Sequence, residues 1–198
     1  MNNTKKNITL QALKFFVEND YDRASLNNIA EAMGVTKGAI YHYFKNKDEL
    51  FEECISFVTN SIDSFYIQMI PENPTVKFLL KTLLKNIDVT KMIKEAWGIY
   101  IKFDAITFTN IIYSGIKKFP GMKERFVNSY AQVLAMLEGL IIKEQAEGII
   151  KKSINPRLTA LEIVTMSEGG TLMLEFYSDD DNKIFQNYAD EFWDRLKV

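Results

Sequence analysis

The stretch Ser25 to Leu50, SLNNIAEAMGVTKGAIYHYFKNKDEL, decides the fold. Ser25 stands before Leu26, Ile29, Ala30 and Met33, apolar residues that recur at the spacing of one helical face. Serine is a good first cap, because its hydroxyl accepts from a backbone N–H that has no partner inside the helix. Gly34 ends this short helix, as a residue tolerant of positive φ does cheaply, and Val35 is expected to plug the corner. Thr36 then caps a second helix over about Lys37 to Phe44. Ile40 and Phe44 turn inward as anchors, while Tyr41 and His42 point outward. Two short helices around the turn Gly34-Val35-Thr36 make a helix-turn-helix, whose second helix can enter a major groove.

Reading outward, Ile8, Ala12, Phe15 and Phe16 put a helix over about Asn7 to Asn19. On the other side Asn46 caps a long helix, with Asp48 and Glu49 in its first turn where negative charge suits the dipole. Leu50, Cys54, Val58, Ile62, Phe65 and Met69 carry its stripe up to Pro71. Asn73-Pro74 reads as the next start, a cap followed by proline at the first helical position. Two or three helices should fill residues 74–118. Pro120-Gly121 reads as a break, and a long helix from about Met122 to Glu147 follows. Its apolar residues cover more than one stripe, so burial on two sides is expected. Asn155-Pro156 opens another helix to about Tyr177, Ser178 to Asn182 is a turn, and a last helix ends the chain. The fold class is all-α: a three-helix head, residues 1–47, and a helical-bundle body, residues 48–198.

Composition agrees. Across 198 residues, 47% apolar and 25% charged content suits a globular chain, and 4 Pro with 9 Gly is too little punctuation for many short strands. The net charge is only −2, yet residues 1–47 hold 7 Lys/Arg against 4 Asp/Glu. A mildly basic head on an acidic body fits a nucleic-acid contact at one end. A single cysteine, Cys54, allows no internal disulfide and no zinc cluster. No signal-type run and no membrane-length apolar stretch occurs, so a cytoplasmic protein is expected.

The second helix of the corner is suited to DNA. Thr36, Lys37, Gly38 and Ala39 open it, and small residues there let the backbone come close to base edges. Tyr41 and His42 can donate to phosphate. Lys45 and Lys47 sit at the start of the next helix, where free N–H groups and the dipole also favour phosphate.

At these residues the sequence resembles the DNA-binding signature of the TetR/AcrR family of bacterial repressors. The matching pattern is Leu26-x-x-Ile29-Ala30-x-x-Met33-Gly34-Val35-Thr36-Lys37-Gly38-Ala39-Ile40-Tyr41-x-Tyr43-Phe44-x-x-Lys47-x-x-Leu50. The resemblance covers roughly 45 N-terminal residues with the preceding helix; the rest matches in helical layout and length. It implies that Thr36, Lys37 and Gly38 meet base edges or nearby backbone, and that Ser25, Tyr41, His42 and Lys47 hold phosphates. Tyr43 is read as packing.

For the body, the resemblance implies a ligand pocket and a homodimer interface. Trp97, Tyr100, Phe103 and Phe108 gather aromatics in the middle helices, with Phe65, Tyr130 and Leu134 as facing candidates; apolar, aromatic walls are usual for small-molecule pockets. The ligand-binding set is therefore Phe65, Trp97, Tyr100, Phe103, Tyr130 and Leu134. Glu95, Glu138 and Glu168 lie inside apolar runs, and any that faced the pocket would favour a cationic or hydrogen-bond-donating ligand. For pairing, two long helices from each chain would make a two-fold four-helix interface, with Leu137, Ile141, Leu161, Thr165, Gly169 and Leu172 as its residues. The expected partner is a palindromic double-stranded DNA operator, and no cofactor or metal is called for.

An enzyme fits poorly, since the only histidine lies in the DNA motif and no Gly-rich phosphate loop or GxSxG occurs. The expected function is a sequence-specific transcriptional regulator, a repressor released by a small molecule. The alternative is a regulator that senses a protein partner, or nothing.

Overall fold

A computed structural model describes residues 3–19, 21–84, 89–102, 104–173, 176 and 182–198. Among them the chain forms ten α-helices and no strand. They are α1 (Asn3–Glu18), α2 (Leu26–Ala32), α3 (Lys37–Tyr41), α4 (Lys47–Met69), α5 (Val76–Leu83), α6 (Val89–Trp97), α7 (Ala105–Lys118), α8 (Pro120–Ala146), α9 (Pro156–Met173) and α10 (Asn182–Leu196). A 3-10 turn, Tyr21–Arg23, joins α1 to the segment before α2. None of the helices is long and apolar enough to cross a membrane.

The chain divides into two compact units, Met1–Ile67 with Asp88–Lys123, and Gln68–Ile87 with Glu124–Val198. In the first, Leu13, Ile29, Ile40, Phe44, Leu50 and Phe51 are buried together with the fully buried Cys54. Burying each large side chain contributes about 1.5–3 kcal/mol. The rings of Phe16, Tyr21 and Phe51 close this core, with centroids 4.5–5.9 Å apart. In the second unit, Val76, Leu79 and Leu80 of α5 share a core with Leu137 and Ile141 of α8, Ile163 of α9 and Phe192 and Trp193 of α10.

Local chemistry explains the boundaries, including those the sequence misplaces. The first helix begins at Asn3, earlier than its apolar stripe requires. The second helix of the corner stops at Tyr41 rather than Phe44; the amides of Tyr43 and Phe44 both turn back to the Ile40 carbonyl. The cap of α5 is Thr75, not Asn73: its hydroxyl accepts from the Phe78 amide at 3.1 Å. The expected break is there but falls at Phe119, and Pro120 already starts α8. Phe119 before it is extended, at φ −120° and ψ 104°, as a residue preceding proline prefers, and a first-turn proline forfeits no helical bond. Val35 does not plug the corner; it is exposed, while Ile29 and Ile40 are wholly buried. Burial of α8 on two sides does not hold within the chain. Leu137, Ile141 and Glu144 are buried, but Val127, Tyr130, Met136 and Ile142 are exposed. The turn expected over Ser178 to Asn182 lies at 178–181 outside the described residues.

Candidate nucleic-acid interface

Three caps build the corner. The Ser25 hydroxyl accepts from the Asn28 amide at 3.2 Å, starting α2. Gly34 takes φ +65°, the left-handed region that glycine enters without strain. The Thr36 hydroxyl accepts from the Ala39 amide at 3.2 Å, starting α3. Asn46 and Glu49 secure the start of α4. The Asn46 side chain accepts from the Glu49 amide at 2.8 Å, and the Glu49 carboxylate accepts from the Lys45 amide at 2.7 Å.

Buried Ile40 and Phe44 fix α3 by its inner side. That leaves Thr36, Lys37, Gly38, Tyr41 and His42 exposed, with Ala39 half-buried beside them. A side chain added at Gly38 would meet only the Thr36 hydroxyl, at 3.9 Å, so the outer face of α3 is open to close approach. The Lys37 ammonium stands 5.3 Å from the Tyr41 ring centre. His42 meets the half-buried Tyr43 edge to face, centroids 4.7 Å apart. Lys45 is exposed and Ser25 is half-buried at its cap.

Lys47 departs from a simple phosphate-holding role. Its ammonium donates to the carbonyls of Tyr21 and Ala24, both at 2.8 Å, and lies 4.1 Å from the Tyr21 ring centre. Desolvation there pulls its pKa below the ordinary lysine value. On the same joint the Tyr21 hydroxyl donates to Asp48, and Lys118 of α7 pairs with Asp22 at 2.8 Å. Sequence reasoning missed Tyr21, Asp22 and Lys118. Asp22 and Lys118 are 96 residues apart, and no periodicity announces such a pair.

The pairing and pocket residues separate more sharply. Leu137 and Ile141 are wholly buried in the core of their own unit, which leaves no side-chain area for a partner. Leu161, Thr165, Gly169 and Leu172 are exposed, and they follow one another along one face of α9. Of the pocket candidates, Phe65 and Trp97 are half-buried in the first unit, where the Trp97 ring lies 4.8 Å from that of Phe57. The Trp97 indole N–H is buried without a hydrogen-bond acceptor. Tyr100 is exposed, and Phe103 lies outside the described residues. Tyr130, exposed, and Leu134, half-buried against the core, belong to the second unit. Glu95 and Glu168 are exposed and Glu138 half-buried. Among the described residues the buried acid is Glu144, which the sequence reading did not single out.

Residues 8–54, the whole corner with parts of its flanking helices, match the family described as bacterial regulatory proteins, tetR family. Over these residues the chain is a TetR-type DNA-binding head. The HTH-type transcriptional regulator AcrR of Shigella flexneri is 46% identical over 50 residues, 25% of this chain and 23% of AcrR. Thus the shared stretch spans about a quarter of that relative. The nucleoid occlusion factor SlmA of Haemophilus ducreyi is 28% identical over 167 residues, 79% of this chain and 73% of SlmA. The TetR fold extends over the full length: a TetR transcription regulator from Haloarcula marismortui superposes with TM-score 0.69 at 17% identity, covering 100% of both chains.

Proposed function

We propose that this chain is a TetR/AcrR-family, sequence-specific DNA-binding transcriptional regulator that works as a homodimer, a repressor released from a palindromic operator by a small molecule. Residues 1–47 are the DNA-binding part and residues 48–198 the ligand-binding and dimerising part, in the cytoplasm. The observation that carries the reading is the outer face of α3. Thr36, Lys37, Gly38, Tyr41 and His42 are exposed on a short helix locked from below by Ile40 and Phe44. Such a helix reads base edges from its N-terminal residues while neighbours hold phosphates.

Pairing is supported by α9. Leu158 and Leu161 are 60% and 50% exposed, and Leu172 continues the line. Together with Ile142 on α8 they leave apolar surface of the kind that another protein surface covers. A two-fold dimer would set two α3 helices against half-sites about 34 Å apart, or a multiple of it. Ligand binding in the body, with Phe65, Trp97, Tyr100, Phe103, Tyr130 and Leu134 as candidates, would favour a state with the wrong head spacing. The size of that effect equals the ligand's preference between the two states. An apolar or aromatic ligand suits these residues. The exposure of Glu95 and Glu168 removes two of the reasons for a cationic one.

A regulator without catalytic activity is favoured over an enzyme. Cys54 is fully buried, its thiol donates to the Thr9 carbonyl, and burial raises its pKa well above the usual value, so it is a poor nucleophile. The test is selection of bound fragments from sheared genomic DNA, followed by gel shifts on those recovered. Recovery of a palindrome supports the reading; no retained fragment at low salt overturns it. Melting the protein against small-molecule panels then separates ligand sensing from a partner-sensing or constitutive regulator.

A further inference from the structure

Around the 3-10 turn Tyr21–Arg23, cations gather from three parts of the first unit. Lys118, the last residue of α7, pairs with the Asp22 carboxylate at 2.8 Å and stands 4.4 Å from the Tyr21 ring centre. Lys47, the first residue of α4, lies 4.1 Å from the same ring. Lys117 is exposed on the last turn of α7, and Arg23 is exposed on the turn itself. Among the described residues Asp22 and Asp48 stand with them, and Asp48 already accepts the Tyr21 hydroxyl. The Asp22 side chain is 83% exposed. Its carboxyl is held below the usual carboxylate range, first by the Lys118 hydrogen bond and charge, with Lys47 and Lys117 adding to it. Lys118 also disfavours the charge of Lys47.

Lysines in the last turn of a helix complement its dipole, and that alone would explain Lys117 and Lys118. It does not explain why Lys118 reaches across to the head and converges with Lys47 on an exposed acid. Like charges brought together in this way lower the cost of receiving an anion. Three residues along the chain from Asp22, within about 11 Å, stands Ser25, to which the family resemblance assigns a phosphate.

We propose that Lys117 and Lys118 of the body helix α7 extend the DNA-contact surface, taking phosphodiester oxygens outside the helix-turn-helix footprint. This rests on the DNA-binding reading above. In the free protein Asp22 occupies Lys118; on DNA a backbone phosphate competes for the same ammonium. The phosphate backbone carries no base information, so the contact adds affinity equally on all sequences and links the body to the duplex.

The test measures binding of the full-length protein to a random-sequence duplex by fluorescence anisotropy over a range of salt concentrations. Lys117→Ala, at an exposed position, is expected to lower the slope of log affinity against log salt by about 0.9. Lys118→Ala is expected to weaken binding too. Asp22→Asn separates the contact from a structural bridge: it removes the competitor and is expected to tighten binding several-fold. A bridge that only held the joint together would make Asp22→Asn and Lys118→Ala weaken binding alike, each with a lower melting temperature. That result, or an unchanged slope for Lys117→Ala while the wild type binds normally, overturns the proposal. Failure of the wild type to bind any duplex overturns the DNA reading itself. Loss of binding to free inorganic polyphosphate in the two lysine variants, with DNA binding intact, assigns the cluster to a different anion and also overturns it.

Discussion

The Lys47 ammonium lies 4.1 Å from the centre of the Tyr21 ring and donates at 2.8 Å to that residue's own carbonyl. It therefore ties the start of α4 to the turn that precedes the helix-turn-helix. Charged hydrogen bonds of this sort contribute about 1.5–3 kcal/mol each when well formed, and less where solvent competes. Lys47→Ala is expected to lower the stability of the protein by about 1–2 kcal/mol, read as an earlier urea midpoint. A variant with unchanged stability and a salt slope reduced by about 1 would instead make Lys47 a plain phosphate contact.

Lys37 offers the opposite case. It is exposed at the start of α3, beside a glycine that leaves room for close approach. Lys37→Ala is expected to relax discrimination at one base position, at a cost of about 1–3 kcal/mol, with little change on random DNA. Competition binding with single-base operator variants reads this. Equal losses on specific and random duplexes would move Lys37 from base reader to phosphate contact.

The corner was legible because its signals are local. Ser25, Thr36 and Asn46 cap helices over three residues, Gly34 supplies the one backbone angle the turn requires, and Ile40 and Phe44 fall on the side facing α1 and α2. The joint beside it was not legible. Lys118 and Asp22 meet only because α7 packs beside the head, a tertiary event that leaves no pattern in sequence. The interface was half legible for a similar reason. Apolar periodicity marks a helix face for burial but does not say against what: Leu137 and Ile141 pack within their own chain, while Leu161 and Leu172 are left exposed.

That contrast yields a pair of opposed mutants. Leu161→Glu puts a charge on exposed surface, so the monomer fold should survive while a dimer built on α9 should not. Light scattering after size exclusion is expected to show the monomer mass, with helical content retained. Leu137→Ala should act through folding instead, costing about 2–5 kcal/mol as a buried truncation. A dimeric Leu161→Glu protein would place the pairing surface elsewhere.

At Gly115 α7 comes close to side chains of its neighbours. A methyl group built there would collide with Ile55 Cδ1 of α4 and sit 2.5 Å from Met122 Sδ of α8. Gly115→Ala is expected to destabilise the protein by about 1–3 kcal/mol through overpacking. Ile55→Val removes the first obstructing atom, so the double variant should recover part of the loss, and a double-mutant cycle in urea measures the coupling. If Gly115→Ala melts like the wild type, the helices there have slack, and the close approach has no energetic weight.

Glu144 on α8 is almost wholly buried, and one carboxylate oxygen accepts from the Val76 amide at 2.8 Å, at the first turn of α5. The other oxygen is buried with no partner. Desolvation is the largest influence and raises its pKa above 4.5; the Val76 amide opposes this, and Glu147 adds to it. A carboxyl whose folded pKa lies above its unfolded value binds its proton more tightly in the folded state. Its contribution to folding is thus most favourable below the unfolded pKa and is lost as pH rises through the folded one. Glu144→Gln keeps an acceptor for the Val76 amide and never ionises, so it escapes that loss. The melting temperature of Glu144→Gln relative to wild type should therefore move upward between pH 4.5 and pH 8. The sign does not depend on whether the glutamine amide finds a partner of its own, since that cost is the same at both pH values. A difference that stays flat, or moves downward, would mean that Glu144 is ionised and satisfied throughout, with solvent reaching the second oxygen.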